Sequence, residues 1–282
     1  MVSIIILTYN SEQYIERLVE SVYEFNKGLN IEVIVVDNLS NDKTIDKVNK
    51  LGKKVRLVVN KKNIGFAAGI NSGVKQSAGK YLLFINPDCE WKSGSIKDFL
   101  RVVERNELIG IVGGKLSTSD RKIEKSAGKF LGILESIPTA FGLDEAAGVR
   151  FSPKKIQKVD YVSGAFMMVK KNVFDQLSGF DENLFMYIED MEFCFRAKKK
   201  GVLTYFTPEA EAIHHLHGSS NRGFAVSNIY NGIFYFQKKH KGVLSYLMVK
   251  SLFVAKARVL VMVGKILNNK YLTDTYSEAL KA

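Results

Sequence analysis

Residues 2–37, VSIIILTYNSEQYIERLVESVYEFNKGLNIEVIVVD, decide the fold. Two short apolar runs rich in β-branched residues, VSIIILT and IEVIVVD, flank a segment whose apolar side chains recur at helical spacing. Neither run alternates apolar with polar residues, so both faces of each strand are covered, as in a parallel sheet with helices on either side. The rhythm returns in VRLVVN and KYLLFIN, with helical stretches expected near residues 12–25, 42–51 and 65–77. Strands alternating with helices in this way predict an open α/β sheet.

In such a sheet a ligand binds beyond the carboxyl ends of the strands. Those ends carry TYNS (residues 8–11), DNLSND (37–42), NKKNIGFAAG (60–69) and NPDCE (86–90), so the polar chemistry falls on one rim. Asp37 can meet a base or ribose and Asn10 ends the first strand, although both residue types also serve as helix caps and turn formers. Asn38, Ser40 and Asn41 read as turn builders. Gly65, Gly69 and Gly73 recur every fourth residue and allow close approach of a helix to a strand or a ligand. The Gly-Lys-Ser/Thr ending of a Walker loop is absent. Asp88 offers a carboxylate at the rim, where a hard cation could bridge it to phosphate oxygens.

From about residue 116 to 159 the rhythm lapses into a polar, basic stretch that reads as a hairpin plus a mobile loop, either an acceptor lid or a solvated excursion. A strand through Met168, a short helix at residues 171–177 and a helix opening near Glu189 follow. In FMYIEDMEFCFRAKKKG (residues 185–201) the acids stand at Glu189, Asp190 and Glu192. At 100° per residue Asp190 and Glu192 point some 200° apart, so they cannot share one task. Glu192 lies one turn before Arg196, which suits an ion pair.

The chain has 282 residues, 46% of them hydrophobic, and a formal net charge of +12, which favours an anionic partner. Between residues 212 and 273 there is no acid, while Lys250, Lys256 and Arg258 interrupt the apolar segment GVLSYLMVKSLFVAKARVLVMVGKIL. That segment is a poor spanning helix but suits a membrane interface, or else a packed helix or oligomer contact. Nucleic acid is disfavoured, because the basic residues alternate with aliphatic ones and no recognition motif appears. Cys89 and Cys194 lack metal-ligand spacing and read as buried thiols of a reducing compartment. The N-terminus has a short apolar run and no basic leader, so it reads as a first strand of a cytoplasmic chain.

SIIILTYNS, VVDNLSND, NIGFAAGINSG, LFINPD, VSGAFMMVKK, GFDENLFMYIEDMEFCFRAKKKG and HHLHGSS occur in this order from residue 3 to 220. In these motifs the chain resembles a family 2 glycosyltransferase of the rhamnosyltransferase type, with a GT-A fold. The resemblance implies a mostly parallel central sheet flanked by helices. It divides the chain into a catalytic domain, residues 1–221, with a nucleotide-binding half to about 115 and an acceptor half beyond it, and a basic helical extension, residues 222–282.

It also implies transfer of a sugar from a nucleotide-diphospho-sugar donor, with inversion and a divalent metal, Mn²⁺ or Mg²⁺. The acceptor would be a lipid-linked glycan or polysaccharide at the inner face of the cell membrane. Rhamnose from deoxythymidine-diphosphate rhamnose is the donor it favours, with a uridine-diphosphate hexose as the other choice. Asp88 matches the second acid of the family's Asp-x-Asp signature, and Asn86 replaces the first. Thr8, Tyr9, Asn10 and Asp37 match the nucleotide pocket, and Asn63, Gly65, Phe66 and Asn71 the element beside the nucleotide sugar. Gly164 and Ala165 match a donor and acceptor contact. Asp190 matches the catalytic base, with Glu189 positioning acceptor or base. A histidine completes the metal site: His215 by its spacing to Gly218, His214 by its distance from Asp190, with His217 left for the diphosphate. A silent scaffold is the competing reading raised by Asn86.

Overall fold

The structure, a computed structural model, describes residues 1–215 and 222–282. Its first half follows the sequence rhythm: β1 (Val2–Thr8), α1 (Ile15–Phe25), β2 (Ile31–Asp37), α2 (Thr44–Lys50), β3 (Arg56–Val59), α3 (Phe66–Val74) and β4 (Tyr81–Ile85). Helix α1 buries Ile15, Leu18, Val19 and Val22, the one-sided spacing that a sheet-packed helix needs. A Cβ on Gly69 or Gly73 would stand 2.4 Å from Leu7 or 2.7 Å from Ile5 and Val36, so these glycines let α3 sit against β1 and β2.

The second half runs β5 (Cys89–Ser93), α4 (Ile96–Val103), β6 (Ile109–Thr118), β7 (Ile123–Glu124), β8 (Ala127–Gly128), α5 (Ile133–Ala140), β9 (Arg150–Phe151), β10 (Gln157–Val159), β11 (Tyr161–Val162), β12 (Phe166–Lys170), α6 (Lys171–Gln176), α7 (Glu189–Lys199) and β13 (Leu203–His214). Strand order in the main sheet is β10-β13-β6-β12-β4-β1-β2-β3. The β4-β1-β2-β3 half is parallel, and β6 and β13 run the same way, so the sheet is mostly parallel as expected, with β12 antiparallel between β4 and β6 and β10 antiparallel to β13. An apolar run such as FMMVK is covered on both faces in either direction, and its sequence carries no sign of its sense.

The expected hairpin is β6 with β7, paired at Leu116↔Glu124. Beyond it the expected mobile loop instead forms a small sheet, β11-β8-β9, with α5. Three helices close the chain: α8 (Arg222–His240), α9 (Val243–Ile266) and α10 (Lys270–Ala279). The proposed domain boundary at 221 lies outside the described residues. Tyr230, Ile233, Phe236, Val249 and Phe253 join the same core as Phe84, Phe174, Phe180 and Phe193, so these helices are packed structure. Helix α9 turns Val249, Phe253 and Ala257 inward and leaves Leu244 and Ile266 each 73% exposed. Among the described residues no helix is long and apolar enough to cross a membrane. Both cysteines are free and buried.

Candidate active site

The strand ends of β4 and β12 and the start of α7 converge on one short loop, residues 163–165. Pro87 follows Asn86 in a tight turn, closed by Cys89 N–H donating to the Asn86 carbonyl at 3.1 Å, that presents Asp88. Asn86 N–H donates to the Ala165 carbonyl at 3.0 Å, and the next backbone amide but one, Gly164 N–H, reaches Asp190 Oδ2 at 3.0 Å. Asp88 and Asp190, 102 positions apart in the chain by their numbers, are thus braced by neighbouring residues of one loop.

His214 ends β13, with Nε2 3.3 Å from Asp88 Oδ1 and Nδ1 2.9 Å from Glu124 Oε2. Burial alone would lower the imidazole pKa, but hydrogen bonds to the two carboxylates outweigh it and push it up to about 10. Burial would likewise raise Asp88, and the bond to His214 reverses the sign and holds it below its ordinary value. The next residue, His215, points elsewhere: its ring stacks on Tyr14 at 5.4 Å and its Nδ1 lies 2.9 Å from Ser119 Oγ. Of the two histidines expected to compete for Asp88, His214 turns its ring to the carboxylate, while His215 meets Asp88 through its backbone, N–H to carbonyl at 2.9 Å, with its ring 3.4 Å from Glu90. His217 lies outside the described residues.

Ligand atoms of Asp88, Cys89 and His214 fall within 4.8 Å of one another. Burial pushes the Cys89 thiol well above its ordinary pKa, and it faces the Ala165 carbonyl at 3.7 Å. A thiol is a soft ligand and this one is turned to a carbonyl, so the set suited to a hard cation is the Asp88 carboxylate and the His214 imidazole, the latter once the cation replaces the proton on Nε2. That set fits Mn²⁺ and, through the carboxylate, Mg²⁺. Glu124, which the sequence reading passed over, holds the far imidazole nitrogen, the place where metal-binding histidines usually have an acidic partner.

At the start of α7, Glu189 is 6% exposed and its Oε2 has no hydrogen-bond partner among the described residues. Burial, and then the neighbouring Asp190 charge, drive its pKa well up. Asp190 is raised as well, by burial, against amide bonds from Gly164 and Met191 that partly offset it. Both carboxyls are thus harder to ionise than in water, and Asp190 once ionised is a stronger base than a solvated aspartate. The expected Glu192–Arg196 pair is present at 2.8 Å, with Glu192 fully buried.

The nucleotide side differs from the expectation in detail. Thr8 and Asp37 are fully buried: Asp37 accepts from Thr8 Oγ1, Ser40 N and Ser40 Oγ, each at 2.7 Å. They brace the turn from beneath and offer no free face, while Asn10, left-handed at φ 53°, and half-buried Tyr9 line the open side. Asn71 is turned away from the site, clamped to Phe180 by reciprocal 2.9 Å bonds and to Glu182. Conversely Asn38, read as a turn builder, donates to Asn63 Oδ1 and the Gly65 carbonyl and accepts from Asn60, so it joins two rim loops. Gly65, at φ 83°, brings Phe66 N–H to 2.6 Å from the Phe185 carbonyl, and a Cβ on Gly164 would touch the Phe66 ring at 3.6 Å.

Among proteins of known name, an N-acetylglucosaminyl-diphospho-decaprenol L-rhamnosyltransferase of Mycobacterium tuberculosis is 26% identical over 244 residues, covering 78% of this chain and 77% of that one. Rhamnosyltransferase WbbL of Escherichia coli is 26% identical over 234 residues, 79% of this chain and 86% of its own. Among solved structures, GalNAc-T7 with UDP, GalNAc and Mn²⁺ superposes with a TM-score of 0.63 at 16% identity over 91% of this chain, which spans 54% of that enzyme. TarS residues 1–349 of S. aureus gives 0.57 at 17% over 99% of this chain and 88% of that one. The fold is the GT-A glycosyltransferase fold. The Glycosyl transferase family 2 model matches residues 3–177 and a second, Glycosyl transferase family group 2, residues 133–263. Because the first match runs from β1 through the helix after β12, across more than half of the chain, this protein is a glycosyltransferase that belongs to family 2.

Proposed function

We propose that the protein is an inverting rhamnosyltransferase that moves rhamnose from deoxythymidine-diphosphate rhamnose to a lipid-linked or cell-envelope polysaccharide. The observation that carries the mechanism is the loop of residues 163–165, which braces a metal-competent acid, Asp88, and a base, Asp190, within one turn of backbone. The names of the mycobacterial and Escherichia coli relatives support the sugar and the acceptor class.

In a single displacement the acceptor hydroxyl oxygen bonds to the anomeric carbon as the bond from that carbon to the diphosphate breaks. The hydroxyl proton passes to the Asp190 carboxylate, and the electron pair leaves with the nucleoside diphosphate. Gly164 N–H binds Asp190 Oδ2 and Met191 N–H binds Oδ1, which fixes the carboxylate and leaves its remaining lone pairs for the acceptor proton. Glu189, beside it, would position the acceptor or the base. A divalent cation held by Asp88 and His214 would neutralise charge on the departing diphosphate.

The direct test is thermal stabilisation against a panel of nucleotide sugars with Mn²⁺ or with chelator. At a hundred-fold excess over Kd a ligand adds about 2.7 kcal/mol, so a shift with deoxythymidine-diphosphate rhamnose and metal alone is expected. A shift with a uridine-diphosphate hexose instead would change the donor, and none at all would count against an intact donor site. In the same assay Asp88→Ala should abolish the metal-dependent part of the shift; a variant that keeps the wild-type difference between metal and chelator takes Asp88 out of the site.

The outward stripe of α9 supports contact with an anionic membrane, flanked as it is by Lys250, Arg258 and Lys265. Truncating the tail would strip Phe253 from the core, so point changes are the better probe. Leu244→Ser with Ile266→Ser should weaken binding to phosphatidylserine vesicles by about ten-fold or more, since each buried large apolar chain is worth about 1.5–3 kcal/mol. Unchanged vesicle binding together with a smaller particle in light scattering would make the stripe an oligomer contact instead.

A further inference from the structure

Helix α7 is launched by two residues in a conformation that neither favours. Tyr187 and Ile188 both have φ of 70°, the left-handed region, and Ile188 is β-branched, the residue class least suited to it. Such a pair persists only where its surroundings over-determine it, and it directly precedes Glu189 and Asp190. The surroundings here are α8. Gly232 lies in the interior of that helix, where glycine is the poorest choice after proline. Its reason is contact: a Cβ on Gly232 would stand 2.8 Å from Ile188 Cγ1, 3.0 Å from Ile188 Cβ and 3.1 Å from the Tyr187 carbonyl oxygen.

The same helix grips the segment on either side. Tyr235 donates to Asp181 at 2.7 Å and lies 3.3 Å from Asn183, and Lys239 pairs with Asp181. Two residues after Asp190, buried Glu192 is reached by Lys239 and His240 at 2.8 and 2.9 Å. Residues 181–192 are therefore held against α8 before, at and after the left-handed pair.

We propose that α8 sets the position of Asp190, with Gly232 as the positioning residue: its bare backbone seats Tyr187 and Ile188 in the left-handed turn that aims the base. The inference rests on Asp190 as base and extends it to a helix that carries none of the residues assigned above to donor, metal or base. Motion of Gly232 by the breadth of one methyl group would swing the first turn of α7, and misplacement of a reacting group by about 1 Å can cost about 100-fold in rate.

Gly232→Ala is the test, because alanine suits the helix itself better and the fold should survive. Turnover should fall by about 100-fold, with KM for the donor and metal-dependent donor stabilisation unchanged. Hydrogen exchange of residues 185–192 should quicken in the same variant. Adding Ile188→Gly, which removes the two nearest clashing atoms, leaves only the 3.1 Å approach to the Tyr187 carbonyl and accepts φ 70°, should restore most of the turnover. Wild-type turnover in Gly232→Ala, donor affinity lost in step with turnover, or no rescue by the second change would each overturn the proposal. If the wild type transferred no sugar at all, the enzymatic role of Asp190 would fail, while unchanged exchange at residues 185–192 would separately refute the clamp.

Discussion

Asp190→Asn should lose about 10³-fold or more of transfer activity, within the range that general bases contribute, while nucleotide binding stays intact. The amide keeps the shape, and its single oxygen can accept from Gly164 N–H or from Met191 N–H but not from both; it cannot accept the acceptor proton. The variant should stay close to the wild type in stability. The Asp190 carboxyl has a folded-state pKa above its unfolded value, so its ionisation is harder in the folded protein and costs stability at neutral pH. Removing that ionisation relieves the cost, in the familiar exchange between activity and stability. For the wild type the same shift places the acid limb of kcat/KM above the usual aspartate range, since a base works only once its proton is gone. Single-turnover transfer, calorimetric nucleotide binding and a thermal melt separate the outcomes. A variant that melts early, or that loses nucleotide, would make Asp190 a structural residue.

Glu192→Ala should be the most destabilising single change. The carboxylate is fully buried and meets Arg196, Lys239 and His240 at once. Deleting one side of such a network leaves its cations buried and under-paired, at a cost of about 3–5 kcal/mol. Arg196 keeps the carbonyls of Leu177 and Gly179, and Lys239 keeps Asp181, which places the expectation at the lower end of that range. Burial holds His240 below its ordinary pKa despite the adjacent carboxylate, so it adds no stranded charge at neutral pH. The thermal midpoint should drop by roughly 2–4 °C for each kcal/mol lost. A drop of a degree or less would mean that the network is worth no more than a solvated surface pair.

The parallel half of the sheet was legible because covered strands have a strong signature and their connecting helices have one-sided spacing. The sense of β12 was not, because both neighbours cover it equally in either direction. The rim was legible as a place, but not residue by residue. Thr8, Asp37 and Asn71 have the right chemistry and order for ligand contacts, yet the fold spends them on Ser40, Phe180 and Glu182. A polar side chain at a strand end satisfies either use, and only three-dimensional neighbours decide. Glu124 could not be found at all: it sits in a two-residue strand inside a polar stretch, and its meaning comes from His214, 90 positions away. The i,i+4 pair of Glu192 and Arg196 was readable because helix geometry alone brings those two together.

β13 pairs with β6 along its length and then with β5, and its register slips between Thr207 and Glu211 and again between Glu211 and Ala212. Side chains alternate with period two along a strand, so the irregular stretch fixes whether an even-numbered or an odd-numbered histidine faces Asp88. The choice of His214 over His215 is therefore a matter of parity, set several residues upstream of either ring. A single deletion within that stretch would trade one imidazole for the other without altering any residue at the site. Related sequences that differ there in length by one should consequently be compared by strand phase and not by column, because the histidine at the same place in an alignment need not be the one beside the acid.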